Sequence, residues 1–436
     1  MQASARILLL SPEGVETGLD TRLIEQGYPT IQVKERAEAL RRLANEQADV
    51  AIVEGGPEAA ERLRQDIDVL THRQRFPVIA ISDQAGNDKT HVDIDIMAPP
   101  FADAELFRRL DSLGRLVTMQ DELYRRSATN AEYTAKSAAI GTVAEDSGEP
   151  RILTIPASEK DIALSHKALD RNAMLAVCED PADAPARLMR GDFDALILAV
   201  GDDAQDSLYL CSDLRSNPRL YNTPVLMIAD KAAFERPQAP YEAGASDVIY
   251  RPVSPEQLRF RCQRLVSQHR YRLAMQKVLS ACRDNENQDI LTGLYNHGYL
   301  HAHLERMMGA ARGNGKALTV GVFEIANMAA LNKDVGYAAA DRLLRQVGAL
   351  IRGLVRVEDL PARLDGRRFA VVLPDTPLEA ATPVLHRLAG VVNHTEFALA
   401  DGETSIRIAL NTGSAQMSDE KRASVLLARA AENLGN

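Results

Sequence analysis

Short, unbroken apolar runs, each separated from the next by a helix-like stretch, restrict the fold of this chain more than any other feature. The first set is Arg6-Ile7-Leu8-Leu9-Leu10, Asp49-Val50-Ala51-Ile52-Val53 and Pro77-Val78-Ile79-Ala80-Ile81, with a helical pattern over residues 37–45 between the first two runs. A strand that is apolar at every position must be covered on both faces, and helices on either side of a parallel sheet do this. Leu106, Leu110, Leu113 and Val117 share one helical face and close the unit. The pattern restarts at Arg151-Ile152-Leu153-Thr154-Ile155, with Ala195-Leu196-Ile197-Leu198 and Pro224-Val225-Leu226-Met227-Ile228 as later strands. This recurrence predicts a duplicated, doubly wound α/β domain of about 120 residues. Residues 127–150, rich in Ala, Ser, Thr and Gly, read as a linker that is helical at its start.

A long helix is predicted to lead into a third unit. Ser254 caps it, Pro255 suits its first turn and Gln257 completes a capping box. Leu258, Cys262, Leu265, Val266 and Leu273 form its apolar stripe, with Arg259, Arg264 and Arg270 expected to face outward. Such a stripe packs on its own domain or joins a second subunit. The domains are expected at 1–127, 150–272 and 289–436, with a linker at 128–149 and a helical connection at 273–288. A chain of 436 residues with 45% hydrophobic and 26% charged residues fits several globular domains. The net charge of −10 argues against nucleic acid or anionic lipid as a partner. No apolar run is long enough for membrane insertion, and the N-terminus reads as entering a strand without a signal peptide. Cys178, Cys211, Cys262 and Cys282 lack metal-ligand spacing and are expected to be reduced thiols in a cytoplasmic protein.

Both N-terminal units resemble the receiver (CheY/flavodoxin-like) domain of two-component response regulators. The clearest local match is Gly244-Ala245-Ser246-Asp247-Val248-Ile249-Tyr250-Arg251-Pro252. The resemblance implies an acidic pair for Mg²⁺, an aspartate nucleophile, a hydroxyl and a lysine. The first copy has Ser11-Pro12 followed by Glu13, then Glu54, Ser82 and Pro99 at these places. The second has Pro156-Ala157, Ala199, Ala229 and Arg251. Without clustered carboxylates there is no metal site, so no phosphorylation residue is assigned in either copy. The receivers are then read as a dimerisation module, and the chain as a homodimer.

Asp289-Ile290-Leu291-Thr292-Gly293-Leu294-Tyr295-Asn296 resembles the opening signature of the GGDEF family, the diguanylate cyclases, and the likeness continues through most of 289–430. The family implies carboxylates on adjacent strands holding two metal ions, and a glycine turn beside the phosphates. Here the first strand carries Glu324-Ile325-Ala326 and the signature loop reads Asp365-Gly366-Arg367-Arg368-Phe369. Guanidiniums do not ligate Mg²⁺. The chain stops at Ala431-Glu432-Asn433-Leu434-Gly435-Asn436, where the family continues into a lysine and an arginine. The expectation is therefore a protein that is not an enzyme, with no catalytic residue, no metal and no cofactor. Asn332 and Asp341 match the family's guanine-binding positions.

Arg356-Val357-Glu358-Asp359 matches the family's inhibitory RxxD site, which implies cyclic di-GMP as ligand, and Arg387 matches a further arginine of that site. Arginine can bond the O6/N7 edge of guanine and aspartate its N1–H and N2 edge. Arg171 or Arg312 is a candidate to complete the site from a neighbouring domain. The ligand-binding residues are thus Arg356, Asp359 and Arg387, in a cyclic di-GMP effector that recruits protein partners. Related effectors imply cell-cycle control, recruitment to the cell pole and adaptor or proteolysis components as partners. Two other readings stay open: a GTP binder or heterodimer partner of an active cyclase, and a ligand-independent receiver-dimer scaffold.

Overall fold

The computed structural model describes residues 5–12, 17–45, 48–71, 75–82, 94–133, 143, 147–201, 203–217, 219–283, 286–398 and 405–435. The chain packs as two compact units, Ala5–Val117 with Val143–Ala274, and Thr118–Thr142 with Met275–Asn436.

The first unit holds two parallel sheets. One comprises β1 (Ile7–Leu10), β2 (Thr30–Val33), β3 (Val50–Val53), β4 (Val78–Ile81) and β5 (Ile94–Met97), in the order β2-β1-β3-β4-β5. Its helices are α1 (Leu19–Glu25), α2 (Arg36–Asn45), α3 (Pro57–Thr71) and the start of α4 (Asp103–Tyr133). The other comprises β6 (Arg151–Ile155), β7 (Met174–Val177), β8 (Ala195–Ala199), β9 (Val225–Ala229) and β10 (Asp247–Tyr250), in the order β10-β9-β8-β6-β7. Its helices are α5 (Glu159–Leu169), α6 (Ala184–Arg190), α7 (Ala204–Ser216), α8 (Ala239–Ala243) and most of α9 (Pro255–Ala281). Both sheets have the 2-1-3-4-5 order of the flavodoxin-like doubly wound class. The expected parallel α/β architecture is present. Strands β1, β3 and β8 are buried along their whole length, as double coverage requires.

The second unit is built on an antiparallel sheet in the order β12-β13-β11-β16, from β11 (Leu318–Ile325), β12 (Leu360–Arg363), β13 (Arg368–Pro374) and β16 (Leu410–Gln416). Between the last two lie β14 (Phe397–Ala398) and β15 (Ser405–Ile406), a separate pair. Its helices are α10 (His297–Asn314), α11 (Met328–Leu354), α12 (Leu378–His394) and α13 (Ala423–Glu432). Side chains alternate across the sheet. Phe323, Ile325, Phe369 and Val371 pack with α11 and α12, while Val320, Val322, Ala370 and Val372 pack with α10 and α13.

Helix α9 starts as predicted, with the Gln257 N–H donating to Ser254 Oγ at 3.1 Å. Its polar face does not match expectation. Arg264 is only 2% exposed and donates to Asp95 and to Asp247 Oδ2, the latter at 2.8 Å. Arg259 donates to the Ala168 carbonyl at 2.7 Å, and Arg270 pairs with Asp194 at 2.9 Å. Leu273, expected in the apolar stripe, is exposed. The helix is covered by acids from other strands, so a guanidinium outside the apolar stripe can still be buried when its partners are too.

Candidate functional site

The Arg356–Asp359 turn lies between the end of α11 and the start of β12. The Asp359 N–H donates to the Arg356 carbonyl at 3.2 Å, and Asp359 Oδ2 accepts the Arg356 N–H at 2.8 Å. An aspartate bonding local backbone in this way stabilises a turn. Asp359 is 3% exposed, whereas the Arg356 side chain is exposed. In this geometry Arg356 is the outward reader and Asp359 shapes the turn. Arg387 is exposed on α12, which packs against α11.

Behind the turn stands a residue that sequence reasoning missed. Arg126, on the part of α4 within this unit, is 2% exposed, and its Nη2 donates to the carbonyl oxygens of Glu358 at 3.0 Å and Asp359 at 2.9 Å. Its Nε donates to Glu122 Oε1 at 2.8 Å, and its guanidinium lies 5.6 Å from the centre of the Tyr295 ring. Glu122 also pairs with His303 at 2.8 Å and Arg125 at 3.0 Å. Burial pushes the Glu122 carboxyl up, but His303 and Arg126 outweigh it and hold the group well below the usual carboxylate range. Burial keeps the His303 imidazole below its ordinary value, and its other nitrogen lies 2.8 Å from the Thr129 hydroxyl. The spacing of Glu122 and Arg126 was visible in the sequence, but an i,i+4 pair reads equally as a solvated ion pair.

The signature loop joins β12 to β13. Asp365 Oδ1 accepts the Arg368 N–H at 3.1 Å, and its Oδ2 accepts Arg368 Nε at 2.7 Å. Partial burial works to raise the Asp365 carboxyl, yet the Arg368 bond and the backbone N–H of Arg367 leave it below its ordinary value. Arg367 crosses to Glu324 at 2.7 Å, and Arg363 ties Asp289, at 3.1 Å, to this loop through the Gly366 carbonyl. The family resemblance implies magnesium here. With Asp365 engaged by Arg368 and Glu324 by Arg367, these two carboxylates do not fit a pair of magnesium ions, and no step is derived through metal.

Asn332 and Asp341 both lie on α11, on either side of Gly336, whose φ of 77° interrupts the helix. Asn332 Oδ1 is buried with no hydrogen-bond partner among the described residues, and Asp341 is exposed. Arg171 is exposed after α5, and Arg312, on α10, donates to the Glu420 carbonyl at 2.7 Å.

In the first parallel sheet, Glu54 follows β3 and accepts the hydroxyls of Ser11 and Thr17. Glu13 lies outside the described residues. In the second, Arg251 donates to Asp161 at 2.9 Å and to the Val200 carbonyl at 3.3 Å. Its charge is therefore partnered inside the domain.

Residues 286–436 match the family model described as diguanylate cyclase, GGDEF domain. Over nearly its full length the chain is similar to response regulator PleD of Caulobacter vibrioides, with 25% identity over 446 residues, 99% of this chain and 96% of that protein. It is 29% identical over 187 residues to diguanylate cyclase DgcP of Pseudomonas aeruginosa, covering 43% of this chain and 25% of that protein. Among solved structures, the GGDEF domain of DgcB from Caulobacter crescentus in complex with c-di-GMP is 20% identical with a TM-score of 0.33, covering 34% of this chain and 86% of that one. The architecture is thus that of a PleD-like response regulator with a C-terminal GGDEF domain. These matches overturn one expectation. The prediction of a protein that is not an enzyme fails, because the matching family and the relative DgcP are diguanylate cyclases. The departures at Ala326, Asp365, Arg367 and Arg368 and in the C-terminal residues 431–436, on which that expectation stood, do not by themselves exclude the activity.

Proposed function

We propose that this chain is a cyclic di-GMP receptor of a bacterial signalling pathway, binding the dinucleotide through Arg356, Asp359 and Arg387. The observation that carries this reading is the Arg356–Asp359 turn. It presents an exposed guanidinium from a backbone fixed by the Asp359 carboxylate in front and the Arg126 guanidinium behind. A guanine edge offers the Asp359 carboxylate the same kind of N–H donor that the Arg356 backbone now supplies. Ligand binding then favours one arrangement of the protein and exposes a surface for protein partners. The chain acts as a homodimer, and its partners include components of regulated proteolysis at the cell pole.

The test is displacement of a fluorescent cyclic di-GMP analogue from the full chain. Cyclic di-GMP displaces it and cyclic di-AMP does not, because adenine lacks the O6 acceptor and the N1–H and N2 donors. Equal displacement by both dinucleotides would overturn the guanine reading.

A second ligand, GTP at Asn332 and Asp341, is favoured by the buried Asn332 Oδ1, which has no partner among the described residues and is an acceptor suited to a guanine N–H. Asn332→Ala is expected to abolish GTP binding and leave cyclic di-GMP binding unchanged. Unchanged GTP binding would remove this reading.

A further inference from the structure

Helix α10 opens with His297-Gly298-Tyr299-Leu300-His301, and Glu305 follows one turn later. Residues four apart on a helix are neighbours on one face, with Cβ atoms about 5–6 Å apart. The apolar stripe of α10, which includes Tyr299, Leu300, Leu304 and Met307, is buried in the second unit, and the two histidines and Glu305 fall on its flank. His297 and Glu305 are exposed and His301 is half-buried. The two imidazole rings lie beside each other with centres 4.4 Å apart and planes inclined by 37°.

Neither ring makes a hydrogen bond among the described residues, so their nitrogens face solvent chemistry without a protein partner. His303, two residues on, is the opposite case: it is buried, with one nitrogen on Thr129 and the other on Glu122. Partial burial and the neighbouring His297 hold the His301 imidazole below its ordinary value, and Glu305 opposes this more weakly. Neutral imidazole is the form that ligates a metal. A Zn–N bond is about 2.0–2.1 Å long, so two nitrogens on one ion stand about 3 Å apart. Rings with centres 4.4 Å apart reach that spacing by rotation about their side-chain bonds.

A His-x-x-x-His spacing on a helix is the pattern that presents two imidazoles to one zinc ion. Nitrogen donors also select the metal, because magnesium and calcium prefer oxygen ligands while imidazole suits zinc, nickel and copper. The partial positive charge at the start of a helix works against a cation, and the Glu305 carboxylate supplies a counter-charge on the same face. Among the described residues no three His, Cys, Asp or Glu side chains converge as a metal cage. The protein contribution is therefore a pair of nitrogens.

We propose that His297 and His301 form a binding site for a divalent transition-metal ion of the zinc class, each giving one ring nitrogen, with water in the remaining positions. The ion staples the first two turns of α10, directly after residues 289–296. The site uses none of the cyclic di-GMP residues and does not rest on that reading.

The test is calorimetric titration of the full chain, kept reduced, with zinc chloride, in buffer containing magnesium chloride to occupy oxygen-lined sites. One saturable equivalent of zinc is expected in wild type. His297→Ala, at an exposed position with no hydrogen bond to lose, is expected to weaken it at least about tenfold, and His301→Ala to do the same. Zinc is also expected to raise the urea midpoint of wild type and to leave that of His297→Ala unchanged. Absence of saturable zinc binding, equal affinity in wild type and His297→Ala, or a zinc-dependent rise in midpoint that persists in His297→Ala would overturn the site.

Discussion

Arg126 holds Asp359 by its backbone rather than by its charge: the guanidinium donates to the Asp359 carbonyl oxygen at 2.9 Å while the Asp359 carboxylate faces the Arg356 N–H. The turn that presents Arg356 is therefore set from behind by a helix more than two hundred residues earlier in the chain. Removing the guanidinium also leaves Glu122 buried beside one fewer cation. Arg126→Ala is expected to destabilise the second unit by about 3–5 kcal/mol, the usual cost of breaking a buried pair on one side. In protein that remains folded, cyclic di-GMP affinity should fall. Arg126→Lys, which keeps the charge but not the fork, should recover stability more than affinity. Denaturant midpoints and binding isotherms measured on the same samples check this.

A second prediction contrasts a buried ion cluster with a surface pair. Asp247 is fully buried and accepts from Arg109, Arg261 and Arg264. Burial raises the carboxyl, and the three arginines more than reverse this. Asp247→Ala should cost about 3–5 kcal/mol because three guanidiniums lose a shared counter-charge. Asp103→Ala, which removes an exposed pair with Arg22, should cost less than about 1 kcal/mol. Urea denaturation of the two variants measures the difference directly.

The third concerns pH. Burial, assisted by Arg272, lowers the His269 imidazole from 6.5 to about 4. The unfolded chain then binds this proton at higher pH than the folded one. Stability from this group is fully present above about pH 6.5 and is lost as pH falls toward about 4. The loss amounts to about 3 kcal/mol at the bottom of that window. His269→Gln should flatten the dependence of the urea midpoint between pH 7.5 and 4.5. A slope unchanged in the variant would assign it to other groups.

The sequence made part of this architecture legible and hid the rest for physical reasons. Strands β1, β3, β4, β6, β8 and β9 lie within a residue of their apolar runs, because each is covered on both faces and needs no polar position. Strand β5 was not readable, since Asp95 interrupts its apolar run. That acid is tolerated inside because Arg109 and Arg264, 14 and 169 residues away, donate to it. The same long-range pairing buried Arg264 on a helix face that periodicity assigned to solvent. At the candidate ligand site, Arg356, Asp359 and Arg387 could be named from the resemblance. Their support could not, because Arg126 and Glu122 bear on the turn only once α4 is packed.

The measurement that tests the central claim most directly is calorimetric titration of cyclic di-GMP into the full wild-type chain and into Arg356→Gly. Arg356 itself is exposed and lies outside helix and strand, so the substitution is expected to cost about 0.4–1 kcal/mol through the added backbone freedom of glycine. Saturable binding to wild type, lost or weakened at least about tenfold in the variant, is the predicted result. No binding to wild type, or equal binding to both proteins, would contradict it.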